Sequence, residues 1–140
     1  MRFSFRLDPL WRGPLLLIGA RRSGAWVDLG EEALQLRFGF FSARIPLADV
    51  HGARRIDWPF YYGIGVRLAP RRTIGYIGSQ RGVVEVRLRR ARRFSVIVPV
   101  ERERVALSLQ APDAFIDALS EAIAGSRARA GEWHPTRVQR

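Results

Sequence analysis

Cysteine is absent from this 140-residue chain, and so is lysine. The first absence excludes a thiol nucleophile, a cysteine-ligated zinc and a disulfide framework. It suits a cytoplasmic setting without requiring one, since many exported proteins also lack cysteine. The second absence leaves arginine to supply all 24 cationic side chains. Codon usage in a GC-rich genome and selection for the bidentate guanidinium fork are the two readings of that bias. Histidine occurs twice, at His51 in a strand context and His134 in the tail, with no ligand-like spacing to another histidine or a carboxylate. Metal binding is therefore not expected. Long apolar runs are missing too. Pro14-Leu15-Leu16-Leu17-Ile18-Gly19-Ala20 falls short of the about 20 apolar residues that span a bilayer. It also lacks a convincing signal-peptide cleavage site, and it reads as a strand or docking segment.

Catalytic signatures are equally scarce. Gly78-Ser79-Gln80 does not have the flanking pattern of a nucleophile elbow. Gly63-Ile64-Gly65 lacks the third glycine and following helix of a dinucleotide fingerprint. Gly75-Tyr76-Ile77-Gly78 lacks the lysine of a phosphate loop. No catalytic residue, metal ligand or cofactor is assigned, and the chain is expected not to be an enzyme.

What is present is a well-stocked apolar alphabet, 47% of the residues, in a chain the size of one domain. The formal net charge is +11, a surface that attracts phosphate-rich polymers and anionic lipid head groups. The apolar residues fall into strand-like alternation. Ala25, Val27 and Leu29 share one face, as do Leu34, Leu36 and Phe38. Gly39-Phe40 closes a hairpin into residues 41–45, which Pro46 ends. Strands are also expected at 50–57, 64–68, 73–77, around Val84, Val86 and Leu88, from Phe94 to Val100, and around Val105, Leu107 and Leu109. Turn signals every eight to twelve residues fit one antiparallel meander.

One amphipathic helix follows. Pro112 suits a first turn, Asp113 suits the positive end of the helix dipole, and Phe115, Ala118, Leu119, Ala122 and Ile123 form an apolar stripe. Gly125 is the expected stop. The expected fold is mainly β: a single antiparallel barrel or sandwich of about seven strands, capped by one C-terminal helix over 113–124. Residues 1–24 form an arm that can add strands at Arg2–Leu7 and Leu15–Ile18. The body occupies 25–124, and 125–140 is a basic, disordered tail in which Trp133 alone could dock.

Leu34-Gln35-Leu36-Arg37-Phe38-Gly39 followed by Ile45-Pro46-Leu47-Ala48-Asp49-Val50 resembles the bacterial pleckstrin-homology-like proteins, where a strand ending in Phe-Gly leads into an Ile-Pro turn. Gly63-Ile64-Gly65-Val66-Arg67, Gly82-Val83-Val84-Glu85-Val86 and Ala111-Pro112-Asp113-Ala114-Phe115-Ile116 fit the same pattern. The resemblance covers about residues 25–124. It implies a non-catalytic scaffold for binding proteins or lipids, and it carries over no ligand-binding residues.

Two constellations stand out. Arg89-Arg90-Ala91-Arg92-Arg93 lies between two strand signals, so it is expected to form a hairpin tip. Such a tip could meet an anionic membrane, could bind a nucleic-acid backbone, or could simply be a solvated turn. The loop Trp58-Pro59-Phe60-Tyr61-Tyr62-Gly63 is flanked in sequence by Arg54-Arg55 and Arg71-Arg72. If these converge, the loop becomes a basic-rimmed tip for membrane insertion or the anchor of a protein interface. In the plainer alternative Trp58 and Phe60 tuck under the body while Tyr61 and Tyr62 cover its edge. The partner expected is therefore a protein or an anionic lipid surface, at the inner face of the membrane in a cytoplasmic protein. A nucleic-acid-binding small barrel, or a structural or assembly protein, is the alternative.

Overall fold

The computed structural model describes residues 1–9, 24–95 and 99–132. The expected strand at Leu15–Ile18, the chain at 96–98, and the tail residues Trp133 and His134 lie outside the described residues. Alternation of apolar and polar side chains sets the first sheet. β2 (Ala25–Leu29) buries Ala25, Val27 and Leu29, and β3 (Ala33–Phe38) buries Leu34, Leu36 and Phe38, as their spacing predicts. With β1 (Arg2–Ser4) and β4 (Phe41–Pro46) they make a four-stranded antiparallel sheet in chain order.

A 3-10 turn at Leu47–Asp49 carries the chain into a second, five-stranded sheet. Its members are β5 (Val50–Arg55), β6 (Gly65–Ala69), β7 (Thr73–Ile77), β8 (Val83–Ser95) and β9 (Pro99–Ser108), in the order β5-β8-β9-β7-β6. Three expectations need correction. Nine strands are present among the described residues, not about seven. The arrangement is not wholly antiparallel, because β7 runs parallel to β9. The sheets do not close into a barrel: β4 and β8 approach one another at a corner without forming a ladder. At another corner residues 5–8 cross between the sheets. Phe5 bridges Leu109, Arg6 N–H donates to the Ser108 carbonyl at 2.8 Å, and Asp8 N–H donates to the Gly78 carbonyl at 2.8 Å. Gly78 admits this crossing because a Cβ there would strike Leu7 and the Arg6 carbonyl.

The main core lies between the sheets and includes Phe5, Phe38, Ile74, Tyr76, Val86, Phe94, Leu107 and Phe115. Phe3 meets Phe115 edge to face at 5.2 Å, and Phe5 meets Phe38 at 5.0 Å. A smaller cluster of Trp58, Ile77, Val83 and Ala106 lies on the other, outer face of the five-stranded sheet. The alternation of β9 explains the division, since Val105 and Leu107 point into the main core while Ala106 points outward.

Helix α1 (Pro112–Glu132) packs Phe115, Leu119 and Ile123 onto the main core and touches β5, the 3-10 turn, β2 and β8. It does not stop at Gly125. Helix formers on both sides of that glycine outweigh a cost of about 1 kcal/mol, and the Arg129 guanidinium ties the last turns to the Glu31 carbonyl. Residues 125–132 therefore belong to the helix and not to a tail.

Candidate functional site

Pro59 has an extended backbone (φ −61°, ψ 142°) and launches a 3-10 turn over Phe60–Tyr62. Tyr62 N–H donates to the Pro59 carbonyl at 3.0 Å, and Gly63 N–H to the Phe60 carbonyl at 3.1 Å. Gly63 ends the turn at φ +87°, a left-handed conformation that other residues adopt at a cost. Beneath the turn lies Trp58, only 5% exposed. Its indole N–H donates to the Gly63 carbonyl at 2.9 Å, and its ring lies over Gly75.

Edge-to-face contacts climb outward from this anchor. Trp58 meets Tyr62 at 5.2 Å, Tyr62 meets Tyr61 at 5.1 Å, and Tyr61 meets Phe60 at 5.8 Å. Each such pair contributes about 0.5–1.5 kcal/mol beyond its burial. The outermost rings are left in solvent, with Phe60 75% and Tyr61 73% exposed. Trp58 thus tucks against the sheet as one reading allows, while Phe60 does the opposite. The arrangement is an ordered ledge with two apolar rings on display.

The arginines are distributed differently from the sequence expectation. Arg89–Arg93 form no hairpin tip. They lie within β8, which continues to Ser95 because Arg92–Ser95 pair with Pro99–Arg102. β8 ends at Ser95 and β9 begins at Pro99, both within the run that alternation assigns to one strand. Asp49 explains why the arginines lie down. Its buried carboxylate accepts from Arg92 Nη1 at 2.6 Å and from Arg90 Nη2 at 3.1 Å. Arg54 Nε sits 3.2 Å from Glu85, Arg55 Nη1 3.6 Å from Asp113, and Arg72 Nε 3.3 Å from Glu103. Among the eight candidate arginines, Arg71, Arg89 and Arg93 make no ion pair among the described residues. Arg71 and Arg72 form the turn between β6 and β7 with left-handed φ of 63° and 57°, and the Arg71 carbonyl accepts from Arg104 Nη1 at 2.7 Å.

Ladder registers settle which candidates meet. Arg55 pairs with Val84, and Gly65 pairs with Ile77, so the aromatic ledge sits at the end of the sheet where β8 begins. Val50 pairs with Leu88, roughly 13 Å further along β8 at about 3.3 Å per residue, and Arg89–Arg93 continue beyond it. Arg71 and Arg72 occupy the far end of the β6–β7 hairpin. Of the candidate arginines only Arg54 and Arg55 lie toward the ledge end, while Arg67, which was not among them, packs its guanidinium beside Gly63; the basic run and the aromatic loop lie at opposite ends.

Sequence reasoning passed over Glu85 and Arg104. Glu85 is buried and holds Arg54 at 3.2 Å and Arg104 at 3.8 Å. The one available signal was an acid at an outward-facing strand position ahead of a run of arginines. Among the described residues no three His, Asp or Glu side chains converge as a metal site requires, and no helix is long and apolar enough to cross a membrane. Compared with known proteins, the chain matches no family model, no curated protein and no solved structure.

Proposed function

We propose that the chain is a non-catalytic binding module that recognises a protein partner through the aromatic ledge at Phe60 and Tyr61. The observation that carries this reading is two large rings about three-quarters exposed, 75% and 73%, on a turn held by a buried tryptophan. Aromatic anchors dominate the energetics of protein interfaces. A ledge already ordered in the free protein loses little conformational entropy on binding. Arg55 beside it would add polar contacts at the rim. The pleckstrin-homology-like assignment belongs to the same proposal. Support comes from the quoted motifs and from two sheets closed by a C-terminal helix, while the order β5-β8-β9-β7-β6 departs from a plain meander.

An anionic membrane surface is the less favoured partner. A single insertion device would need the ledge and Arg89–Arg93 on one side, and the ladder registers put them at opposite ends of the sheet. The test is affinity capture from a native extract with wild type, Phe60→Ser/Tyr61→Ser and Arg89→Ser/Arg93→Ser proteins, beside flotation with anionic liposomes. A discrete partner lost only from the aromatic variant is expected. Salt-sensitive liposome binding lost only from the arginine variant would replace this reading with the membrane one.

A further inference from the structure

The outer face of the five-stranded sheet has a second feature, away from the exposed rings. The registers put Arg54, Glu85 and Ala106 in one rung across β5, β8 and β9, and Gly52, Arg87 and Arg104 in the next. Directly opposed like charges destabilise a sheet. Arg87 faces Arg104 nonetheless, on two inner strands of the sheet. The nearby acid relieves the conflict only on the Arg104 side. Glu85 Oε1 lies 3.2 Å from Arg54 Nε and 3.8 Å from Arg104 Nε, and Arg87 has no acid within ion-pair distance among the described residues.

Next to Arg87 on β5 stands Gly52, with nothing within 4 Å of where a Cβ would be. The β5 register slips between Val50 and Gly52, which leaves His51 exposed at the rim. Bulges of this kind recur beside binding sites because they re-aim side chains. The result is an open concavity of about 330 Å³ lined by His51, Gly52, Ala53, Arg54, Glu85 and Arg87. That lies within the range of about 300–1,000 Å³ typical of small-molecule sites. Arg54 meets Glu85 through Nε, so both of its Nη groups lack a partner among the described residues.

We propose that this gap over Gly52 binds a phosphate-bearing small anion, gripped by Arg54 and Arg87. Guanidinium forks match phosphate oxygens in pairs. A dianion between the arginines would replace the Arg87–Arg104 repulsion with attraction to Arg87. Glu85 serves as a positioning residue that fixes Arg54 and Arg104, and its own negative charge keeps the anion on the Arg87 side. The phosphate belongs either to a soluble compound or to a lipid head group.

The test is titration of the full chain with sodium pyrophosphate at constant ionic strength, followed by amide NMR. Saturable shifts at Gly52, Ala53 and Glu85 are expected. Arg87→Gln should weaken binding by about tenfold, the worth of one charge-assisted contact. Arg93→Gln, an equal loss of charge elsewhere, should leave it nearly unchanged. Because Arg87→Gln also removes a like-charge pair, its apo melting temperature should hold or rise, which separates lost binding from lost fold. Vesicles of phosphatidic acid compared with phosphatidylglycerol identify the source. Retention on the monoester lipid that needs Arg87 assigns a head group, and pyrophosphate binding without retention assigns a soluble ligand. Shifts scattered over the surface without saturation, or equal weakening by the two substitutions, would overturn the site.

Discussion

Tyr76 shows how far the core tolerates an unmet polar group. Its side chain is fully buried, and its hydroxyl has no hydrogen-bond partner. A buried unsatisfied hydroxyl costs about 1–3 kcal/mol, whereas a well-fitting apolar replacement costs little. Tyr76→Phe is therefore expected to hold or raise stability by about 1 kcal/mol in urea denaturation. Burial also pushes the Tyr76 phenol well above its ordinary value of 10.0. In the unfolded chain the phenol releases its proton near that ordinary value, while the folded chain retains it. The stability this group contributes is complete below pH 10 and is lost as pH rises above it. With no lysine in the chain, no ammonium side chain titrates across that window. Tyr76→Phe should accordingly flatten the alkaline loss of stability, and an unchanged slope would refute the assignment.

At the scale of elements, an aromatic contact joins the helix to the N-terminal strand, Phe115 on Phe3. Phe115→Ala should cost about 3–5 kcal/mol. Hydrogen exchange should show β1 and α1 losing protection together, with the far ends of β8 and β9 less affected. The elements themselves were unevenly legible in the sequence. β2 and β3 emerge almost residue for residue, because one apolar face against one core gives clean alternation; β7 matches its expected span although both its faces are covered. β8 does not. Four of its residues, 88–91, oppose the single Glu103 of β9, and that irregularity breaks the two-residue period where the arginines begin. Gly125 misled for a related reason: a local stop signal was overruled by contacts from Arg129 to a turn remote in sequence. The aromatic ledge was legible from composition alone, while its orientation depended on a tryptophan packing over Gly75. The fate of the arginines was not legible, because their acids are distant along the chain. Asp49 is separated from Arg90 and Arg92 by 41 and 43 positions, and Glu85 from Arg54 by 31.

For the whole molecule, 24 arginines against 13 acids leave a net charge of +11. The pairs with Asp49, Glu85, Glu103 and Asp113 are already counted in that sum, and they fix where five of the arginines stand. The sheet ends differ in character as a result. One carries the exposed rings, and the other carries Arg89 and Arg93. The central claim is that partners engage the first end. The most direct test places a photo-crosslinking phenylalanine analogue at position 61 in one protein and at position 89 in another, each expressed in its native cell. Crosslinking from position 61 to a second, distinct protein, abolished by Phe60→Ser and absent from position 89, is the predicted result. Crosslinks from position 89 alone would contradict the claim and move the contact surface to the arginine end of the sheet.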